Sequence, residues 1–152
     1  MEENKNKLTE TIIENEVEKK RSKAEDYLSN PDKSKKLLDE ALKKAVAKEE
    51  KKGPLYDVWN TLMAMIRLFQ AYIHRDYTRI PWGSIVLIVV AIIYFVSPFD
   101  LIPDWIPLAG FIDDTAVIAF VINQIKNDLD NFLRWEAVKK SLESVMDSES
   151  AN

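Results

Sequence analysis

The chain has 152 residues, 47% hydrophobic and 30% charged, with a net charge of −4; that length leaves room for one domain with its own core. The acidic balance gives no electrostatic footprint for nucleic acid. Without cysteine there is neither a disulfide staple nor a thiolate metal site.

Charge is divided unevenly. Residues 1–53 carry 14 Lys/Arg and 13 Asp/Glu, whereas residues 54–152 carry 7 and 12. The amino terminus opens polar and acidic with no apolar stretch behind it, which is not the pattern of a cleavable signal peptide. Only three glycines and no alternating runs interrupt the sequence, so helix is expected almost throughout. Leu8, Ile12, Val17, Ala24, Tyr27 and Leu28 mark a weakly amphipathic first helix, closed by Asn30-Pro31-Asp32. Asn30 is placed to cap the second helix and Pro31 suits its first helical position. Leu37, Leu38, Ala41, Leu42, Ala45 and Val46 then recur at helical spacing on a Lys/Glu-rich rod, whose charges are expected to be a solvated face.

Gly53-Pro54 punctuates the chain before a stronger amphipathic helix, with Leu55, Val58, Trp59, Leu62, Ile66, Phe69, Tyr72 and Ile73 on one side. His74 to Arg79 forms a polar joint. The twelve residues Ile85 to Val96 are then all apolar, and on an insertion scale their large side chains contribute roughly −3 to −6 kcal/mol together. Residues 81–97 make about 25 Å of helix against a hydrocarbon core of roughly 30 Å, so a span is borderline short. Trp82 at one end and Tyr94, Phe95 and Trp105 near the other resemble interfacial aromatic belts. Arg67, Arg75 and Arg79 precede the segment and acids follow it, which would leave the amino terminus cytoplasmic. The alternative is a central helix of a soluble all-α domain, because a helix apolar all round fits lipid or protein. After Asp114 a long helix is expected, with Val117, Ile118, Val121, Ile122, Ile125, Leu129, Phe132, Leu133, Leu142 and Val145 as its buried face and a frayed end from Asp147.

Asp100, Asp104, Asp113 and Asp114 are the candidate site. They sit beside the most apolar stretch, where charge is costly unless paired, hydrated or used as a cap. Ser97-Pro98-Phe99-Asp100 has the form of a capping box, and Asp113-Asp114 would open the last helix at the positive end of its dipole. Two further uses stand beside capping: an oxygen-ligand site for Mg²⁺ or Ca²⁺, though no EF-hand spacing supports it, and ion pairing with Arg75 or Arg79 across a tight bend. His74 has no nucleophile or second base with which to form a catalytic set, and no phosphate loop or dinucleotide fingerprint is present. Tyr72, Tyr77, Trp82 and Trp105 are read as packing residues before a ligand-stacking surface.

The runs Tyr77-Thr78-Arg79-Ile80-Pro81-Trp82, Ser97-Pro98-Phe99-Asp100-Leu101-Ile102-Pro103-Asp104 and Gly110-Phe111-Ile112-Asp113-Asp114 resemble the YkvA-like family, a domain of unknown function, over about residues 55–125. The resemblance implies a bacterial, helical, membrane-associated protein with no established enzymatic activity, and places the family's signature aspartates at Asp100, Asp104, Asp113 and Asp114. The expected architecture is all-α: a charged helical arm over residues 1–53, and a helical domain over 54–147 built around one very apolar helix, transmembrane at about 81–97. The expected function is a membrane-anchored, non-enzymatic structural or interaction module in the cell membrane. Membrane lipid is its expected partner, a protein partner would engage the arm, and no nucleic acid or cofactor is expected. The alternatives are a divalent-cation-binding protein or metal-dependent enzyme using the aspartates, and a soluble cytoplasmic all-α adaptor.

Overall fold

A computed structural model describes residues 2–47, 56–97 and 114–150, and within them the side chains other than those of residues 2, 3, 5, 6, 9, 114–117 and 150. These residues form five helices: α1 (Glu2–Ser29), α2 (Pro31–Ala47), α3 (Tyr56–Ile73), α4 (Trp82–Val96) and α5 (Asp114–Ser150). The division expected between residues 53 and 54 lies outside the described residues.

The α1–α2 hairpin forms as its sequence dictates. Asn30 Oδ1 accepts hydrogen bonds from the backbone N–H groups of Asp32 (3.1 Å) and Lys33 (3.3 Å), satisfying free donors of the first turn of α2. Pro31 takes the first helical position, where a missing N–H costs nothing. Across the turn Lys33 Nζ pairs with Asp26 at 2.6 Å, and that hydrogen-bonded carboxylate raises the Lys33 pKa. At the other joint Asp76 N–H donates to Ala71 O (2.9 Å) and Arg75 N–H to Tyr72 O (3.1 Å), the paired closure of a helix whose second residue past the end turns left-handed. Arg75 is that residue, at φ 62°.

α4 is the axis of the protein. All four other helices pack on it, and ten of its fifteen residues are buried. Ile85, Ile88 and Ile92 are fully enclosed, as are Val86 and Val90 on the opposite side. Ile13, Val17 and Ala24 of α1 and Leu37, Leu38, Ala41 and Ala45 of α2 belong to the same core. At its carboxyl end α4 receives Lys44 of α2, whose ammonium lies 3.4 Å from Val96 O and 5.6 Å from the Phe95 ring centroid, a cation at the negative end of the helix dipole.

The all-α class holds, but among the described residues no helix is long and apolar enough to cross a membrane. The fifteen residues of α4 span about 22 Å, short of a hydrocarbon core of roughly 30 Å. From Ile85 to Phe95 its apolar surface is mostly taken up by protein, although Trp82 at its start is 49% exposed; Tyr94 and Phe95 lie inside the core, Phe95 edge-on to Trp59 at 5.8 Å, so they form no interfacial belt. The helices around it carry exposed Glu14, Glu18, Lys36, Asp39 and Lys43, each costly in hydrocarbon. The transmembrane segment, the membrane-anchored module, the cell-membrane location with its cytoplasmic amino terminus, and the lipid partner built on that segment lose their basis together. Nor do the first two helices stand apart as a charged arm. They wall the core through Ile13, Val17, Ala24, Leu37, Leu38, Ala41 and Ala45, so the protein partner expected through a free-standing arm has no support among the described residues.

α5 differs from expectation too. Ile118, Val121, Ile125, Leu129 and Phe132 are buried as predicted, whereas Leu133 is exposed at the edge of that face and Leu142 and Val145 are exposed because the bundle ends before them. The helix continues to Ser150 instead of ending at Asp147.

Candidate functional site

Of the predicted site, Asp100, Asp104 and Asp113 lie outside the described residues. Asp114 begins α5, and its side chain also lies outside them. Ser97 ends α4, its N–H donating to Ile93 O at 2.9 Å. Arg75 and Arg79 are exposed on the α3–α4 joint, and neither pairs with an acid among the described residues. The joint enters α4 at Trp82 and the aspartate stretch leaves it after Ser97, so α4 itself puts about 22 Å between those points.

Among the described residues, polar and aromatic side chains cluster at the other end of α4, where the α3–α4 joint meets α5. Tyr77, in the polar joint but expected to pack, is only 5% exposed. Its ring meets Phe132 edge-on at 5.3 Å and Trp135 at 5.1 Å, and Phe132 stacks on Trp135 at 5.7 Å. Lys139 Nζ sits 5.1 Å from the Trp135 ring centroid, covering the outer face of the cluster with a cation. Burial raises the Tyr77 pKa, the Asp128 carboxylate adds to the rise, and Arg79 opposes it. Asp128 accepts a hydrogen bond from the Ser84 hydroxyl in the first turn of α4, which sets a carboxylate at that helix's positive end.

Beside this cluster a cleft of about 260 Å³ opens between α3 and α5, lined among others by Gln70, His74, Asp76, Trp135 and Lys140. Arg67 closes one wall with two bonds to Glu136, Nε at 2.9 Å and Nη2 at 3.1 Å. A second hollow of about 450 Å³ lies where Leu28, Ser34 and Tyr72 meet Arg75 and Thr78. Among the described residues no group of three or more His, Cys, Asp or Glu side chains is placed to share a metal ion. The cleft's acids, Asp76, Glu136 and Glu143, are balanced by Arg67, Lys139 and Lys140, and its aromatic wall is occupied by Lys139. The arrangement joins α5 to the bundle; no nucleophile and base are set against each other in it.

Two of these residues escaped the sequence reading although a signal existed. Asp128 falls between Ile125 and Phe132 on the buried side of α5, and an acid at such a position needs a donor. Glu16, 5% exposed beside Val17, is the same case on α1, with Lys19 at 3.3 Å. The Arg67–Glu136 pair joins residues 69 apart and leaves no local trace.

Fold and site together define an all-α protein organised on one apolar helix. Comparison with known proteins places it further. Residues 84–120 match the family described as "Protein of unknown function (DUF1232)". A relative from Bacillus subtilis (strain 168), named "Uncharacterized membrane protein YkvA", is 34% identical over 99 residues, covering 65% of this chain and 91% of the relative. The chain belongs to the YkvA-like family. No solved structure matches it. The relative is named a membrane protein; in the present chain no described helix is long and apolar enough to cross a bilayer.

Proposed function

We propose that this protein is an adaptor: a non-enzymatic all-α interaction module whose bundle holds the second half of α5 out as a docking helix. One observation carries the reading. From Ala137 to Glu149 every residue of α5 is exposed, yet the segment remains helical and bears Val138, Leu142 and Val145 on one side. An isolated helix of that length is marginal in water, and large apolar side chains gathered on one exposed face mark an interaction surface.

The test is photo-cross-linking in cells, with a photoreactive residue at position 142 and, as a control, at position 147 on the opposite side of the helix. The expected result is a discrete adduct from position 142 and none from 147. No adduct at position 142, or equal adducts at both positions, refutes the docking helix. The reading also requires the purified chain to stay in solution without detergent and free of aggregates.

A further inference from the structure

We propose that the occupant of this helix is a second copy of the same chain, docked antiparallel along Arg134, Val138, Leu142, Val145 and Glu149; the proposal rests on the interaction-module reading and names its partner. Val138, Leu142 and Val145 are 59%, 59% and 56% exposed. They follow one another at intervals of four and three residues, the spacing of a two-helix seam. At about 100° per residue their stripe is turned some 130° from the face through which Ile118, Ile125 and Phe132 enter the core, so the bundle does not cover it.

Charge selects the occupant and its direction. The stripe is basic at one end, apolar in the middle and acidic at the other. A two-fold axis between Ser141 and Leu142 sets Arg134 against Glu149 of the copy, Val138 against Val145, and Leu142 against Ser141, so the face is complementary to itself when reversed. A parallel pairing sets Arg134 on Arg134 and Glu149 on Glu149. Arg134 is available for this role: among the described residues its bond is to Asn131 Oδ1, at 3.4 Å on its own helix. Such a two-fold contact is closed, each copy offering the same patch. It is small beside standard interfaces, which sets the expected dissociation constant at roughly 1–100 μM.

Sedimentation equilibrium of the full chain without detergent, from low micromolar to several hundred micromolar, is the first measurement. The expected result is a reversible monomer–dimer equilibrium. Leu142→Lys and Arg134→Glu should each weaken it at least tenfold, and Arg134→Glu/Glu149→Arg should restore it; far-UV circular dichroism confirms that each variant is folded. Because the chain has no cysteine, engineered thiols report direction. Oxidation of mixed Arg134→Cys and Glu149→Cys proteins should give the mixed disulfide dimer, and Glu149→Cys alone should give none. A monomer at every concentration, a dimer indifferent to Leu142→Lys, or efficient cross-linking of Glu149→Cys to itself overturns the proposal. A monomer in solution whose position 142 cross-links to a different protein in cells overturns self-pairing alone and leaves the interaction module standing. Failure of both measurements removes both.

Discussion

Replacing Ile88 and Val90 by alanine, one at a time, tests whether α4 is enclosed by protein on all sides. The two side chains point to opposite sides of the helix and both are fully buried. Ile88→Ala removes three carbons, about 2.4 kcal/mol of transfer free energy at roughly 0.8 kcal/mol each. The unrelaxed cavity adds up to about 1.5 kcal/mol, for a total of about 2.5–4 kcal/mol. Val90→Ala removes two carbons and should cost about 2–3 kcal/mol. For a chain of this size each kcal/mol moves the melting temperature by about 2–4 °C, so Ile88→Ala should lower Tm by about 5–16 °C. The assay is thermal unfolding without detergent, followed by circular dichroism at 222 nm. A side facing lipid would leave no cavity, and an isoleucine there contributes only about 0.3–0.6 kcal/mol to insertion. A loss confined to one substitution, with the other within about 1 °C of the parent, would refute a helix enclosed on both sides.

Arg75→Gly should stabilise the protein by about 0.5–1 kcal/mol, since glycine takes φ 62° without a Cβ clash, while Arg75→Val should destabilise it by at least as much; urea midpoints that move the other way refute the turn geometry. Asp128→Ala should cost about 1–3 kcal/mol in urea unfolding, because the Ser84 hydroxyl loses its acceptor and the first turn of α4 its anion; a change under a few tenths refutes that role. Asp128→Asn should also bring the Tyr77 titration down towards the ordinary phenol value, read as the absorbance change near 295 nm. Tyr77 is protonated more strongly when folded than when unfolded, so its contribution to stability is complete below the unfolded phenol pKa and is lost as pH rises through the folded one. Unfolding midpoints should therefore fall above about pH 10, and less steeply in Asp128→Asn. A double-mutant cycle on Arg67 and Glu136 should give a coupling of about 0.5–1 kcal/mol that shrinks in high salt, as expected of a pair whose arginine is 45% exposed; zero coupling makes the two bonds incidental.

Periodicity was a sound guide where one helix met one core. Leu37, Leu38, Ala41 and Ala45 were read from their spacing and are buried, although Leu42 and Val46, taken into the same stripe, are exposed at its edge. Asn30 and Pro31 announced the start of α2 because capping needs only the residues beside it. The packing role expected of Tyr77 holds, although it stands in a polar joint; its partners left no local trace, since the aromatic pocket that receives it comes from α5, some 55 residues later. The aspartates at 100, 104 and 113 and the side chain of Asp114 lie outside the described residues, so their role stays where the sequence left it.

The sequence by itself determined that the chain is helical, where most helices start, and that one of them is apolar on every side, because propensity, capping and spacing act over a few residues. Whether that apolar helix meets lipid or protein is not a local property. Both environments satisfy the same side chains, and only the packing of α1, α2, α3 and α5 around α4 decided for protein. The same holds for Leu142 and Val145: their pattern announces an apolar face, and only the place where the bundle stops leaves that face uncovered.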